Sequence, residues 1–126
     1  MRIMLTGSEA GAIDTVSRGL AVAGHEIINV LELAHHALPV DPTGFDVALS
    51  VRAHPLATLT RHEACLHAAL AAGTPLVLAG AIAAHPLLSH ADEQVIDLDT
   101  AEIADAIERA VARCLLAAVR PIETNV

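Results

Sequence analysis

The sequence predicts an α/β domain, a three-layer sandwich around a five-stranded, mainly parallel sheet in Rossmann-like or flavodoxin-like order. Three observations carry this. Short apolar runs alternate along the chain with segments of helical period, the pattern of βαβ units. The runs are apolar throughout rather than at every second residue, as strands covered on both faces must be. Hydrophobic residues make up 54% of the chain, yet Phe45 is its one aromatic. Ala, Leu, Val and Ile therefore fill the core, and small side chains let helices lie close on a sheet.

Each element has its own signal. Arg2 to Thr6 reads as the first strand, ending at Gly7. Ala12 to Ala23 keeps a helical period and closes on Gly24, a residue suited to the left-handed position after a helix. Glu26 to Leu31 is the second strand. His35, His36, Pro39, Pro42 and Gly44 mark a loop, and Phe45 to Val51 is the third strand. Thr58 to Ala72 is the next helix, stopped by Gly73-Thr74-Pro75, and Leu76 to Ala79 the fourth strand. A loop or short helical turn over Ala81 to Ala91 leads to a fifth strand at Val95 to Leu98. The last helix starts with Thr100 as N-cap, carries Ile103, Ile107, Val111, Cys114 and Leu115 at helical spacing, and ends at Pro121. One domain over 1–120 with a tail over 121–126 is expected.

Composition excludes several functions. The net charge is −8, with seven Arg and no Lys, so a nucleic-acid backbone would be repelled and bases would find no aromatic platform. No Lys also means no Walker-type phosphate loop and no Schiff base. The apolar runs are too short for a membrane span, and Met1 leads straight into a strand pattern rather than a secretory signal. A cytoplasmic protein is expected. Cys65 and Cys114 form no CxxC pair; reduced thiols suit that compartment, although spacing leaves a disulfide open.

Ligands of open parallel sheets bind beyond the carboxyl ends of the strands. This places Thr6, Gly7, Ser8 and Gly11 after the first strand, Arg52 after the third and Gly80 after the fourth in a candidate nucleotide-type site. Glycine lets a phosphate approach backbone N–H groups, and Arg grips phosphate or carboxylate through two parallel bonds. The alternative for Gly7 and Gly11 is an ordinary turn, and for Arg52 an exposed loop position.

Thr6-Gly7 and Gly24-His25-Glu26, at this separation, resemble the opening of the NAD-dependent epimerases and dehydratases of the extended short-chain dehydrogenase family. The resemblance covers about a quarter of the chain, Met1 to Glu32. It implies a Rossmann half that holds NAD or NADP, with Glu32 on the adenosine ribose. The family's second and third glycine positions hold Ala10 and Ile13, and its catalytic Tyr-x-x-x-Lys pair has no counterpart in a chain without Tyr or Lys. A binding fold without dehydrogenase chemistry is what the resemblance leaves.

Glu63 followed by Gly73-Thr74-Pro75 resembles, more weakly, the nucleoside deoxyribosyltransferases and related N-glycosidases. That resemblance implies Glu63 as nucleophile on an anomeric carbon. The plain alternative is a helix-surface glutamate. His62 and His67 are five residues apart, so they diverge around the helix and miss His-Glu-x-x-His geometry. His62 with Cys65 lacks a fixed third ligand, and no metal site is expected. The Ala- and Leu-rich last helix leaves a third possibility, a homodimerising interaction module.

Overall fold

A computed structural model describes residues 1–30, 44–59 and 61–124. Five strands form one sheet: β1 (Arg2–Gly7), β2 (Glu26–Asn29), β3 (Val47–Arg52), β4 (Leu76–Gly80) and β5 (Glu93–Val95). All four pairings are parallel, in the order β2-β1-β3-β4-β5. This is the flavodoxin-like order, one of the two that the sequence allows. The described helices are α1 (Ala10–Val22), α2 (Cys65–Ala71) and α3 (Thr100–Thr124), with 3₁₀ turns at Arg61–Ala64 and Leu88–His90.

Alternation of side chains along each strand divides the core into two layers. Ile3, Leu5, Val47, Leu49, Val51, Val77 and Ala79 meet Ile13, Val16 and Leu20 of α1 and Ile103, Ile107 and Ala110 of α3 on one face. Met4, Ala48, Leu76 and Leu78 meet Leu66 and Ala69 of α2, with Ile82 and Leu87, on the other. Each fully buried Leu, Ile or Val contributes about 1.5–3 kcal/mol of transfer free energy. Both α1 and α2 end in the same double cap. His25 N–H donates to the Leu20 carbonyl and Gly24 N–H to Ala21; Thr74 N–H donates to Ala69 and Gly73 N–H to Leu70. Among the described residues no helix is long and apolar enough to cross a membrane.

Several boundaries differ from expectation, and the main shifts have local reasons. The third strand starts at Val47 rather than Phe45, because the Asp46 carboxylate accepts from Arg2 N–H at 2.7 Å and the Phe45 ring lies under the Arg2 guanidinium. The helix expected from Thr58 begins as a 3₁₀ turn at Arg61, since the carbonyls of Leu56 and Thr58 are held by Arg52 instead. The fifth strand lies at Glu93–Val95, not Val95–Leu98. Asp92 fastens its start, accepting from Leu76 N–H while donating its own N–H to the Leu76 carbonyl. The Asp99 carboxylate, not Thr100, caps α3 by accepting from Ala101 and Glu102 N–H groups. The helix then runs past Pro121 to Thr124. Proline lacks one backbone donor, a loss confined to the last turns here.

Candidate functional site

In the order β2-β1-β3-β4-β5 the chain leaves β1 toward one edge and returns to the other side of it, so the switch point lies between β1 and β3. Thr6 pairs with Ser50 and Gly7 with Val51 at this point. A Cβ on Gly7 would lie 2.1 Å from the Val51 carbonyl oxygen and 3.1 Å from Ile13 Cγ1. Close approach of two backbones, with Ile13 packed beneath, therefore requires glycine. Glu9 precedes the first residue of α1, but its side chain makes no cap to its own helix. Its carboxylate accepts instead from the Ala53 N–H at 2.9 Å, and from the Ser8 hydroxyl. The turns after β1 and β3 thus meet directly through one side chain. Partial burial pushes the Glu9 pKa up, but the bonds from Ser8 and Ala53 and the charges of His54 and Arg52 outweigh it and hold the carboxyl below its ordinary value.

Below this rim lies a sealed polar network on the α2 face of the sheet. Ser50, Arg52 and Glu63 are 0% exposed and His85 4%. Arg52 Nη2 donates to Glu63 Oε1 at 2.8 Å and Nε to Oε2 at 3.2 Å. The same guanidinium reaches the carbonyls of Leu56 and, at 2.8 Å, Thr58. Ser50 Oγ donates to Glu63 Oε2 at 2.6 Å. Leu87 N–H donates to His85 Nδ1 at 3.0 Å, so Nδ1 is unprotonated and the proton of a neutral ring sits on Nε2. That nitrogen lies 3.3 Å from Glu63 Oε2 and 3.2 Å from Ser50 Oγ.

Ser, His and Glu in mutual contact invite comparison with a nucleophile triad. The hydrogen bonds run the wrong way. The serine proton points at the glutamate, and the histidine faces the serine with its protonated nitrogen, as a donor and not a base. The network is an anchor: it ties β3 to the segment Leu56–Thr58, to the 3₁₀ turn carrying Glu63, and through His85 to the loop after β4.

Beyond the ends of β3, β4 and β5 opens a cleft of about 460 Å³, walled by Pro55, Ala81, Ile82, Leu88, Gln94 and Ile96. Gly80 forms its floor, with φ at +94° and a Cβ position only 2.0 Å from the Arg52 carbonyl oxygen. Ala81 N–H donates to that same oxygen at 2.8 Å. Pro55 is two residues from Ala53, so a single loop borders both the Glu9 bridge and the apolar cleft.

The structure gathers Thr6, Gly7, Ser8, Arg52 and Gly80 around the carboxyl end of β3, as the sequence suggests. It corrects the nature of several. Arg52 is neither a ligand clamp nor an exposed loop residue; its donors are spent on Glu63, Leu56 and Thr58. Glu63 is not on a helix surface, and as a nucleophile it would have no path to a sugar, because its carboxylate is enclosed by Arg52, Ser50 and His85. Gly11 sits exposed in the first turn of α1, and a Cβ at this position would meet nothing within 4 Å. Glu32, His35 and His36 lie outside the described residues. Sequence reasoning missed Glu9 and Ser50, and it weighed His85 only as a third metal ligand beside His62 and Cys65. Ser50 had a signal: a hydroxyl two residues before an arginine, in a strand otherwise apolar, needs a buried partner.

Fold and site define a flavodoxin-like α/β domain whose strand-end rim is braced by a buried ion pair. No protein-family model matches the sequence, and no curated protein does. The fold is similar to that of the sugar isomerase domain of the RpiR transcription factor from Sphaerobacter thermophilus, with a TM-score of 0.51 and 16% identity over 98% of this chain and 78% of that one. At that identity the likeness is one of fold.

Proposed function

We propose that this chain is a small-molecule-binding domain that takes a nucleotide-type ligand on the rim formed by the loops after β1, β3 and β4. One observation carries the reading. At the switch point the loops after β1 and β3 meet polar group to polar group, at Glu9 and Ala53, and the same β3 loop walls an apolar cleft of about 460 Å³. Such a pairing of a few placed polar groups with an apolar hollow is what a ring joined to a sugar requires. The similar fold of a sugar isomerase domain is consistent with a sugar-bearing ligand. NAD and NADP belong among the candidates, with adenine nucleotides, nucleosides and sugar phosphates. A ligand that binds only the folded state raises its stability. Thermal unfolding with each candidate at millimolar concentration is expected to show a shift with at least one sugar-bearing compound; no shift with any of them rejects the reading.

Self-association through α3 is a second reading, favoured by Leu115 and Leu116, 64% and 68% exposed on its surface. A homodimer would show as a concentration-dependent elution volume, and a constant monomer volume rejects it.

A further inference from the structure

The switch point of a sheet in this order is where phosphate groups commonly lie, close to backbone N–H donors at the ends of neighbouring strands. In this chain the place is taken by a carboxylate of its own. Glu9 accepts from the Ala53 N–H at 2.9 Å and from the Ser8 hydroxyl, on the loops that flank the crevice. We propose that Glu9 sets the specificity of this site, turning phosphate away from the switch point and receiving there the hydroxyl-bearing, uncharged part of a ligand. This rests on the strand-end site proposed above and specifies which end of the ligand enters it.

The chemistry follows from what a carboxylate can do. Ionised, it accepts hydrogen bonds and donates none. A sugar hydroxyl donates, so a ribose or hexose edge can bond to the Glu9 oxygens without displacing them from Ala53. A phosphate brings mainly acceptors and always negative charge, and would meet the Glu9 carboxylate as a like charge in a chain already at −8. The nearby arginine does not reverse this. Arg52 sends its guanidinium inward to Glu63, so its charge is already matched there. The carboxyl is held below its ordinary value, so it is charged at neutral pH and the exclusion operates there.

The test uses the whole chain and inorganic phosphate as probe, so it does not depend on knowing the ligand. Wild type, Glu9→Ala and Glu9→Gly are titrated with phosphate at constant ionic strength, following the amide resonances of Ser8 and Ala53. Glycine suits a residue preceding a helix, so the second variant guards against loss of fold. The wild type is expected to be unresponsive, and both variants to bind phosphate at those amides at least about tenfold more tightly, the scale of a charge-assisted hydrogen bond gained and a repulsion lost. Phosphate binding by the wild type equal to that of the variants overturns the proposal, as does silence of those amides in folded variants. If the variants gain phosphate while no nucleoside or sugar binds the wild type, the exclusion of phosphate by Glu9 stands, and the hydroxyl seat falls together with the nucleotide-type reading.

Discussion

Arg52 and Glu63 face one another without solvent contact, joined by bonds of 2.8 and 3.2 Å, directly beneath the loop that follows β3. From β3 the arginine reaches forward to the carbonyls of Leu56 and Thr58, so the loop bordering the candidate site is fastened from beneath. Removing either partner leaves the other charged and buried. Glu63→Ala and Arg52→Ala are each expected to lower unfolding free energy by about 3–5 kcal/mol, measured by chemical denaturation. The double variant is expected to cost clearly less than the sum, since the two act through one contact. Additive losses would mean the pair is not coupled as its geometry requires.

Three glycines named by the sequence separate into two that backbone packing requires and one that it does not. Gly7→Ala and Gly80→Ala place a Cβ very close to a carbonyl oxygen of β3, at 2.1 and 2.0 Å. Both are expected to destabilise strongly, Gly80→Ala more so because its φ of +94° also disfavours an L side chain. Gly11→Ala meets open space in a helix and is expected to stabilise by up to about 1 kcal/mol. Thermal melts of the three variants check the ranking.

The two cysteines should differ in reactivity. Burial, with the Glu63 charge adding to it against a weaker backbone hydrogen bond, pushes the Cys65 thiol up to about 11, whereas Cys114 is exposed. Thiolate is the reacting species. Cys114 is expected to react with a disulfide reagent at about pH 8 in the native protein, and Cys65 much more slowly until denaturant is added. Equal rates for both in the native state would contradict the half-buried position of Cys65 and its raised pKa.

Glu9 makes a pH prediction whose sign follows from linkage. Its folded pKa lies below the ordinary value of 4.5, so its stabilising contribution is present above that value and disappears as pH falls through the folded pKa. Wild type is expected to be more stable than Glu9→Gln at neutral pH and to converge on it in acid. Denaturation midpoints of both proteins from neutral pH downward check this, and a gap that widens in acid would contradict it.

The layers of this fold are legible in the sequence because parallel strands leave continuous apolar runs and the glycines at 24 and 73 punctuate helices. Boundaries slip where one side chain redirects the chain. Asp99 outcompetes its neighbour Thr100 as the cap, and Asp92 draws β5 back by two residues. Site residues are legible as positions and not as roles. Arg52 falls at the end of β3 as expected, but its partner Glu63, and the His85 that contacts Glu63, come from other elements, and no local pattern announces such pairings. Glu9 escapes notice because a degenerate glycine loop directs the eye to what could hold a phosphate, while the residue present supplies the negative charge itself.

A ligand seat where the β1 and β3 turns meet can be probed at the residues themselves, by mapping amide resonances with adenosine, NAD and ribose 5-phosphate in turn. At least one of the three is expected to move Ser8, Ala53 and His54 together with Ala81 on the cleft wall, while the amides of Arg2 and Glu26 at the opposite end of the sheet stay still. Shifts confined to that opposite end, or none at millimolar concentration with any of the three, would contradict a seat at this rim.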